Sequence, residues 1–336
     1  MPLVAVAGAT GWLGGHVVQA LLDRGVQVSG FEDRASERGF LHACLHHFFL
    51  NPPHVQVLAL VRPTSATAAL EARAAASAAG PSSLTIARVD LTAPDADAAV
   101  AAALTQAAAA AAATAVLSPP SPSSASPPPP PPVAALVDLV GLRDLAVPTA
   151  AIRAVLTHGT AALWAGARSA AVPRFVAVAG GIHRTPDGRA PNRAMAHNAA
   201  REDALADAAA QARAGGPTGL TILDPSVFFK DAAAIFSMIA RSSPPSLTLI
   251  NGGWDVACNP ISGRDLAGAL ADATLEAAAA PDPPASPVTR FSVGGPEVMT
   301  FGGLADAAAR ALMGDAAATC RRVTLPRWVA WAAWKA

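Results

Sequence analysis

The chain of 336 residues contains no tyrosine and only three cysteines. Without tyrosine, no reaction of this protein can use a phenol as its proton donor, which removes one common type of acid catalysis. Cys44, Cys258 and Cys320 lie far apart, with none of the Cys-x-x-Cys or Cys/His spacings typical of zinc, so we expect no metal site. An odd cysteine count without a secretory signal fits a reducing compartment.

Charge of either sign is also scarce. Charged residues make up 14% of the chain, and 24 basic residues balance 24 acidic ones, so no net field attracts nucleic acid or an acidic membrane surface. No apolar run approaches the roughly 20 residues of a membrane helix, and the alanine tract 107–113 is too short and too weakly apolar. We therefore expect a soluble, cytoplasmic protein that acts on a small molecule, with no nucleic-acid or membrane partner. A plastid location would require a truncated N-terminus.

The N-terminus reads as a strand, a glycine turn and a helix. Residues 3–7 form a short apolar run, Gly8, Gly11 and Gly14 follow at once, and a helical apolar face then extends to about Arg24. In this context the first glycine permits a tight turn, the second lets the backbone approach a pyrophosphate, and the third lets the helix pack on the strand. The helix N-terminus adds amide donors and the positive end of its dipole. The residues predicted to form this dinucleotide site are Gly8, Thr10, Gly11, Trp12, Leu13 and Gly14.

Strands alternate with helices along the rest of the chain. Further strands are expected at 54–63, 84–91, 114–118, 174–178 and 220–223, and helices at about 149–170 and 195–212. Two segments interrupt this pattern: 29–54, which lies between two Val-Gln-Val repeats, and 119–147, which opens with a tract of serine and proline. Both are interpreted as insertions, and the alternative is an error in the gene model.

This alternation predicts the α/β class and a doubly wound parallel sheet of the Rossmann type. We expect an NAD(P)-binding domain over residues 1–220, followed by C-terminal strands and a small α/β substrate lobe over 221–336. The substrate would then bind in a dry pocket between the two lobes.

Residues at the ends of the second and third strands bear on the choice of cofactor. Arg62 stands where an acidic residue would hold the ribose 2′-hydroxyl of NAD, and a cation there suits the 2′-phosphate of NADP instead. The alternative is a solvated arginine beside a turn proline. Asp90 and Leu91 end the third strand, where they would flank the adenine, and the alternative for Asp90 is a helix cap. The predicted cofactor is therefore NADP(H).

Several motifs resemble those of the extended and atypical short-chain dehydrogenase/reductases. They are Gly8-x-x-Gly11-x-x-Gly14 with Ala9-Thr10, Leu60-Val61-Arg62, Gly159-Thr160 ahead of an alanine-rich helix and the strand at 172–176, and Thr221-Ile222-Leu223-Asp224-Pro225. The later segments 228–230, 257–267 and 293–297 resemble one branch, which holds the nitrogen-metabolite-repressor-like reductases and divinyl chlorophyllide reductase. The likeness covers most of the chain outside the two insertions.

The sequence departs from this family at the catalytic positions. Most members with known chemistry use a Tyr-x-x-x-Lys pair on one helix face, helped by a serine and an asparagine. The matching window of this chain offers His197 and Arg201 at the same spacing, so both share a helix face. The serine position falls on Ala179 or Gly180, and the asparagine position falls on Ala162.

His197 and Arg201 are the catalytic candidates that remain. An imidazole titrates near neutrality, so His197 can act as the acid, and the alternative is an exposed histidine on a polar face. Arg201 cannot give up its proton and can only position a ligand. Lys230 is a further candidate near the substrate cleft, with a surface lysine as the alternative. The residues expected to tie the small lobe to the core are Asn259, Ser262 and Asp265.

These observations favour an NADP(H)-dependent oxidoreductase that acts on an unidentified small molecule without the Tyr-x-x-x-Lys pair. The main alternative is a non-catalytic NADP(H)-binding regulator or assembly factor, because the altered catalytic positions favour it while the glycine turn fits both. A second alternative is a reductase of a chlorophyll-precursor vinyl group, suggested by the segment 257–262.

Overall fold

A computed structural model describes residues 2–24, 55–76, 84–116, 133–140, 150–151, 154–179, 193–229, 239–254, 257–279 and 286–326, together with 237, 328 and 329. The predicted insertion 29–54, the proline-rich tract 119–132, Gly180 and Lys230 lie outside the described residues.

A large parallel sheet is the centre of the molecule. The described strands are β1 (Leu3–Ala7), β2 (Gln56–Val61), β3 (Leu84–Arg88), β4 (Val133–Asp138), β5 (Arg174–Val178), β6 (Gly219–Pro225), β7 (Ser246–Ile250), β8 (Ala257–Cys258), β9 (Val288–Val293), β10 (Met299–Thr300) and β11 (Arg321–Leu325). Seven of them pair in parallel in the order β3-β2-β1-β4-β5-β6-β9. The order reverses between β1 and β4, which is the switch point where such sheets bind ligands. The predicted doubly wound Rossmann sheet is therefore confirmed.

Helices cover both faces of this sheet, and one further helix packs in a separate C-terminal core. The described helices are α1 (Trp12–Arg24), α2 (Ala68–Ala76), α3 (Ala96–Val116), α4 (Gly159–Ser169) with a π-helical turn Ala154–His158 before it, α5 (Arg193–Arg213), α6 (Gly263–Ala279) and, in the separate core, α7 (Phe301–Met313). Successive side chains of a strand point to opposite faces. Accordingly, Leu3 and Ala5 of β1 pack in the core formed with α3, α4 and α5, whereas Val4 and Val6 pack in the core formed with α1 and α6.

The fourth strand corrects the sequence interpretation. A strand was expected at 114–118, but residues up to Val116 continue α3, because a run of alanine strongly favours helix. The true β4, Val133–Asp138, lies inside the segment interpreted as the insertion 119–147 and is buried throughout. It pairs with β1 and β5 at the centre of the sheet. Its short run of small apolar residues has no amphipathic period, so it resembled the end of the low-complexity tract.

The C-terminal part of the chain divides between the sheet and a small lobe. β6 crosses the expected domain boundary at 220/221, and α6 and β9 return to the large sheet. β7 pairs with β11 in parallel and β8 with β10 in antiparallel orientation. The small lobe has a separate core formed by Ile239, Leu247, Leu304, Ala305, Ala308 and Ala309.

Helix α3 contains a longer apolar stretch than the alanine tract 107–113 alone. The stretch Ala96–Ala113 is long and apolar enough to cross a membrane by length and composition, which corrects the expectation that no such stretch exists. In the structure, Val100 and Leu104 of this helix are buried in the core beneath α4. Only 28% of the apolar stretch is buried inside the structure, so one side of α3 packs on the sheet and the rest of the stretch does not.

Gly166 of α4 lies against α3 at a distance that leaves no room for a side chain. A Cβ there would lie 2.6 Å from Val100 Cγ1 and 2.9 Å from the Asp97 carbonyl oxygen. We predict that Gly166→Ala lowers the free energy of unfolding by about 1–3 kcal/mol, because overpacking outweighs the ~1 kcal/mol by which alanine favours a helix. Urea unfolding measures this change.

Gly268→Ala in α6 is the matched control, since its Cβ would meet only the end of the Arg24 side chain, at 3.4 Å. Here the helix propensity of alanine should prevail, and the free energy of unfolding should stay equal or rise by up to about 1 kcal/mol. An equal decrease in the free energy of unfolding of Gly166→Ala and Gly268→Ala would contradict the close contact between α3 and α4.

Candidate functional site

The glycine turn between β1 and α1 has the tight geometry that its spacing predicts. Gly8 adopts a φ of 78°, its N–H donates to the Leu60 carbonyl at 3.2 Å, and a Cβ there would lie 2.7 Å from the Leu139 carbonyl oxygen. A Cβ on Gly14 would overlap the Gly8 carbonyl. The Gly11 N–H closes the turn on that same carbonyl at 2.9 Å. Only glycine therefore fits at the first and last positions of this motif.

This turn presents the N-terminus of α1 at the carboxyl edge of the sheet. The first α-helical hydrogen bond of α1 joins the Gly15 N–H to the Gly11 carbonyl at 2.9 Å, so the amides of residues 12–14 precede it. Such amides, together with the helix dipole, attract an anion. The close packing at Gly8 and Gly14 leaves these amides at the place where the pyrophosphate of a dinucleotide would bind in such a sheet.

Trp12 connects the turn to the C-terminal half of the chain. Its ring makes edge-to-face contacts with His16 and Phe228, at centroid distances of 5.6 and 5.9 Å. A Cβ on Gly263, the first residue of α6, would overlap the indole. Leu13, the next residue of the predicted site, packs against the core between α1 and α6. The predicted contacts of Trp12 and Leu13 with the cofactor stay predictions.

A cleft of about 280 Å³ opens between α1 and α2 beside the glycine turn. It is lined by Ala9, Thr10, Gly11, Trp12, Gly15, His16, Ala66, Ala69, Leu70 and Arg73. The Arg73 guanidinium donates from NH1 to the Gly15 carbonyl at 2.6 Å. Sequence reasoning missed Arg73, although its spacing of three residues from buried Leu70 places it on the inner side of α2.

Arg62 lies exposed at the end of β2, where the sequence predicts recognition of a 2′-phosphate. Its guanidinium makes no hydrogen bond or ion pair with the residues that the structure describes. The loop that follows is held by Arg88, whose NH1 donates to the carbonyls of Pro63 and Ser65 at 2.8 and 3.0 Å. The Thr10 hydroxyl lies 3.5 Å from that of Ser65, so the loop borders the glycine turn.

Asp90 closes a turn after β3. Its Oδ1 accepts hydrogen bonds from the Thr92 N–H at 2.9 Å and the Thr92 hydroxyl at 2.7 Å, and these bonds lower the pKa of the carboxyl. Helix α3 begins only at Ala96, so Asp90 stabilises a turn and is not the helix cap considered as its alternative. Leu91 packs against the core near Gly159. Their predicted contact with adenine stays a prediction.

Arg201 of α5 belongs to a buried network with Asp138 at the end of β4. Its Nε donates to the Val178 carbonyl at 2.7 Å, its NH1 to the Val140 carbonyl at 3.0 Å, and its NH2 to the Asp138 carbonyl at 2.8 Å. The Asp138 carboxylate accepts from the Thr160 hydroxyl at 2.8 Å and pairs with Arg201 NH2 at 3.2 Å. The Asp138 side chain is fully buried, and that of Arg201 is 8% exposed.

This network bears on the catalytic candidates. All three nitrogens of the Arg201 guanidinium donate to the protein, so Arg201 holds the ends of β4 and β5 together at the edge where α1 begins. Its geometry favours positioning over direct contact with a substrate. His197 lies one turn earlier on α5, and the structure describes only its backbone. The catalytic roles of His197 and Arg201 stay predictions.

Asn259, Ser262 and Asp265 occupy the junction between the small lobe and the sheet. The Asn259 carbonyl accepts hydrogen bonds from the Gly295 N–H at 2.9 Å and from the Ser226 hydroxyl. The Ser262 hydroxyl accepts from the Asp265 N–H at 3.0 Å and so caps α6. These contacts are consistent with a structural role for the three residues.

Comparisons with known proteins add solved structures of the same fold. No family model and no curated protein matches the chain. UDP-glucose 4-epimerase of Thermotoga maritima is 12% identical with a TM-score of 0.57, over 96% of this chain and 85% of that one. dTDP-glucose 4,6-dehydratase of Streptomyces venezuelae, with NAD bound, is 15% identical with a TM-score of 0.57, over 96% and 84%. UDP-N-acetylglucosamine 4-epimerase of Methanobrevibacter ruminantium is 14% identical with a TM-score of 0.56, over 96% and 85%.

At these identities the likeness shows a shared fold. The predicted resemblance to the extended short-chain dehydrogenase/reductases is therefore confirmed for the fold alone. The branch that holds the repressor-like reductases stays a prediction.

The Arg201 network should stabilise the fold strongly. We predict that Arg201→Met lowers the free energy of unfolding by about 3–5 kcal/mol, because it leaves the Asp138 carboxylate buried without its cation. Arg213→Met, at the exposed end of the same helix, is the matched control and should change it by less than about 0.5 kcal/mol. Chemical unfolding of both variants is the measurement, and a loss below about 1 kcal/mol for Arg201→Met would contradict the network.

Proposed function

We propose that the protein is an NADP(H)-dependent oxidoreductase that acts on a small molecule. The observation that carries this proposal is the glycine turn, where Gly8 has a φ of 78° and Gly14 lies against the Gly8 carbonyl without room for a side chain. That geometry gives the first turn of α1 direct access to a pyrophosphate at the switch point of the sheet. The solved structures of the same fold include a dehydratase and an epimerase with NAD bound.

NADP(H) is proposed over NAD(H) because of the charge at the end of β2. The position that would hold the ribose 2′-hydroxyl in an NAD site carries Arg62, whose exposed guanidinium is available to a phosphate. Arg88 fixes the carbonyls of the following loop and so holds Ser65 near Thr10. These features support a site shaped for a 2′-phosphate at the edge of the glycine turn.

The reaction has to proceed without a tyrosine acid. NADPH, when bound, supplies a hydride equivalent for a carbonyl or unsaturated small molecule. The protein contributes binding, orientation and a fixed sheet edge, which the Arg201–Asp138 network holds in place. His197, one turn before Arg201 on α5, is proposed as the proton donor.

A non-catalytic NADP(H)-binding regulator is the second candidate, and one observation favours it. The position of the family's lysine carries Arg201, whose guanidinium donates to the protein itself. The serine position carries Ala179 or Gly180, and the asparagine position carries Ala162. Consumption of NADPH with a panel of carbonyl and enone acceptors separates the two candidates. Turnover that His197→Gln abolishes supports the enzyme, whereas NADPH binding without turnover supports the regulator.

Titration with NADPH and NADH, followed by cofactor fluorescence, tests the cofactor assignment. We predict that Arg62→Ala weakens NADPH binding by roughly three- to tenfold and leaves NADH binding unchanged, because only NADPH carries the 2′-phosphate. Gly14→Ala should abolish binding of both cofactors, because its Cβ would overlap the Gly8 carbonyl and push α1, with its N-terminal amides, away from the turn.

Arg310→Ala, on the exposed side of α7 in the small lobe, is the matched control and should bind both cofactors as the wild type does. Failure of the wild type to bind either cofactor would refute the proposed function. Equal weakening of NADPH and NADH by Arg62→Ala would refute the preference for NADP(H) alone.

A further inference from the structure

We propose that the cleft between α1 and α2 is a phosphomonoester subsite in which Arg73 is the principal cation and His16 takes up a proton when the anion binds. The proposal rests on the proposed function, since the phosphomonoester is the 2′-phosphate of NADP(H). In this proposal, His16 on α1 and Arg73 on α2 select NADP(H) over NAD(H) together with Arg62 at the end of β2.

The cleft lies in the place where a 2′-phosphate is needed. Its walls join the glycine turn, through Thr10 and Gly11, to the start of α2, through Ala66 and Ala69. Ala66 is four residues beyond Arg62, so the cleft opens beside the strand end that contacts the ribose in this fold. The small side chains at its rim leave a volume of about 280 Å³, which accommodates a phosphate group.

Arg73 is fixed in an orientation suited to an anion. Its NH1 donates to the Gly15 carbonyl at 2.6 Å, and its guanidinium lies flat over Gly15, where a Cβ would lie 3.4 Å from Cζ. No described residue accepts a hydrogen bond from its Nε or NH2. A guanidinium held at one nitrogen keeps the other donors available for phosphate oxygens, which it binds in a bidentate manner.

His16 experiences the positive field of this cleft. Partial burial lowers the pKa of its imidazole from the usual 6.5, and the charges of Arg73 on α2 and Arg264 on α6 lower it further. A phosphate dianion in the cleft offsets both charges, so the pKa of His16 rises on binding. The free protein then holds His16 neutral near pH 7, and binding of the anion favours the protonated imidazole.

Because proton binding to His16 is coupled to NADPH binding, the affinity for NADPH should increase as the pH falls. The complex binds more protons than the free protein, so NADPH affinity rises as the pH falls through the raised pKa of His16 in the complex and levels off below the pKa of His16 in the free protein. The phosphate itself stays dianionic above about pH 6.5, since its second pKa is about 6. NADH lacks the 2′-phosphate, and its affinity should not change over the same range.

Calorimetric titration with NADPH and NADH between pH 6.5 and 8.5 tests the proposal on the full chain. Arg73→Gln should weaken NADPH binding about tenfold or more and NADH binding less than twofold, and Arg73→Lys should recover part of the NADPH affinity. His16→Gln should remove the pH dependence of NADPH affinity and the proton uptake measured in two buffers of different ionisation enthalpy. Arg310→Gln serves as the control for loss of one exposed arginine.

The outcomes separate this inference from the function on which it rests. If wild-type protein binds both cofactors but Arg73→Gln weakens them equally or not at all, the cleft is not the phosphate subsite, and the cofactor site stands. If NADPH affinity of the wild type is independent of pH, or His16→Gln keeps the proton uptake, the role of His16 is overturned. If the wild type binds neither cofactor, the proposed function and the inference fail together.

Discussion

The close approach of α1 to the end of β1 is the contact on which the rest of the site depends. Gly14 brings the helix onto the Gly8 carbonyl, and Gly8 in turn lies against the backbone after β4. Three elements therefore meet within van der Waals distance at the point where the strand order reverses. A side chain at Gly14 would push α1 away from the turn, and one at Gly8 would push the turn away from the backbone after β4. Either change would displace the helix amides, the cleft beside α2 and the packing of Trp12 on α6.

Local chemistry in the sequence predicts much of this arrangement. The turn glycines are recognisable because their spacing follows directly from backbone sterics. The predicted bounds of β5, 174–178, match the observed ones, because a strand that is buried on both faces consists of consecutive apolar residues. β4 was not found. Its residues look like the end of a low-complexity tract, and only its pairing with β1 and β5 makes them a central strand. Alanine, which fits both helix and small buried strand, leaves such segments to be decided by tertiary contacts.

The contacts that shape the site join residues distant in sequence, and no local pattern pairs them. Arg201 was singled out by resemblance, yet its partner Asp138 lies 63 residues away. Arg73 meets Gly15 across 58 residues. Both arginines donate hydrogen bonds to backbone carbonyls. Arg201 does so with all three guanidinium nitrogens and is buried, whereas Arg73 is only partly buried and, among the described residues, donates from NH1 alone.

A crystal structure of the protein grown with NADPH is the most direct test of the central claim that this turn binds a nicotinamide dinucleotide. We predict that the pyrophosphate lies about 3 Å from the main-chain amides of the first turn of α1, with the adenosine ribose between Arg62 and Arg73. NADPH bound elsewhere on the protein, or an empty glycine turn at saturating NADPH, would contradict it.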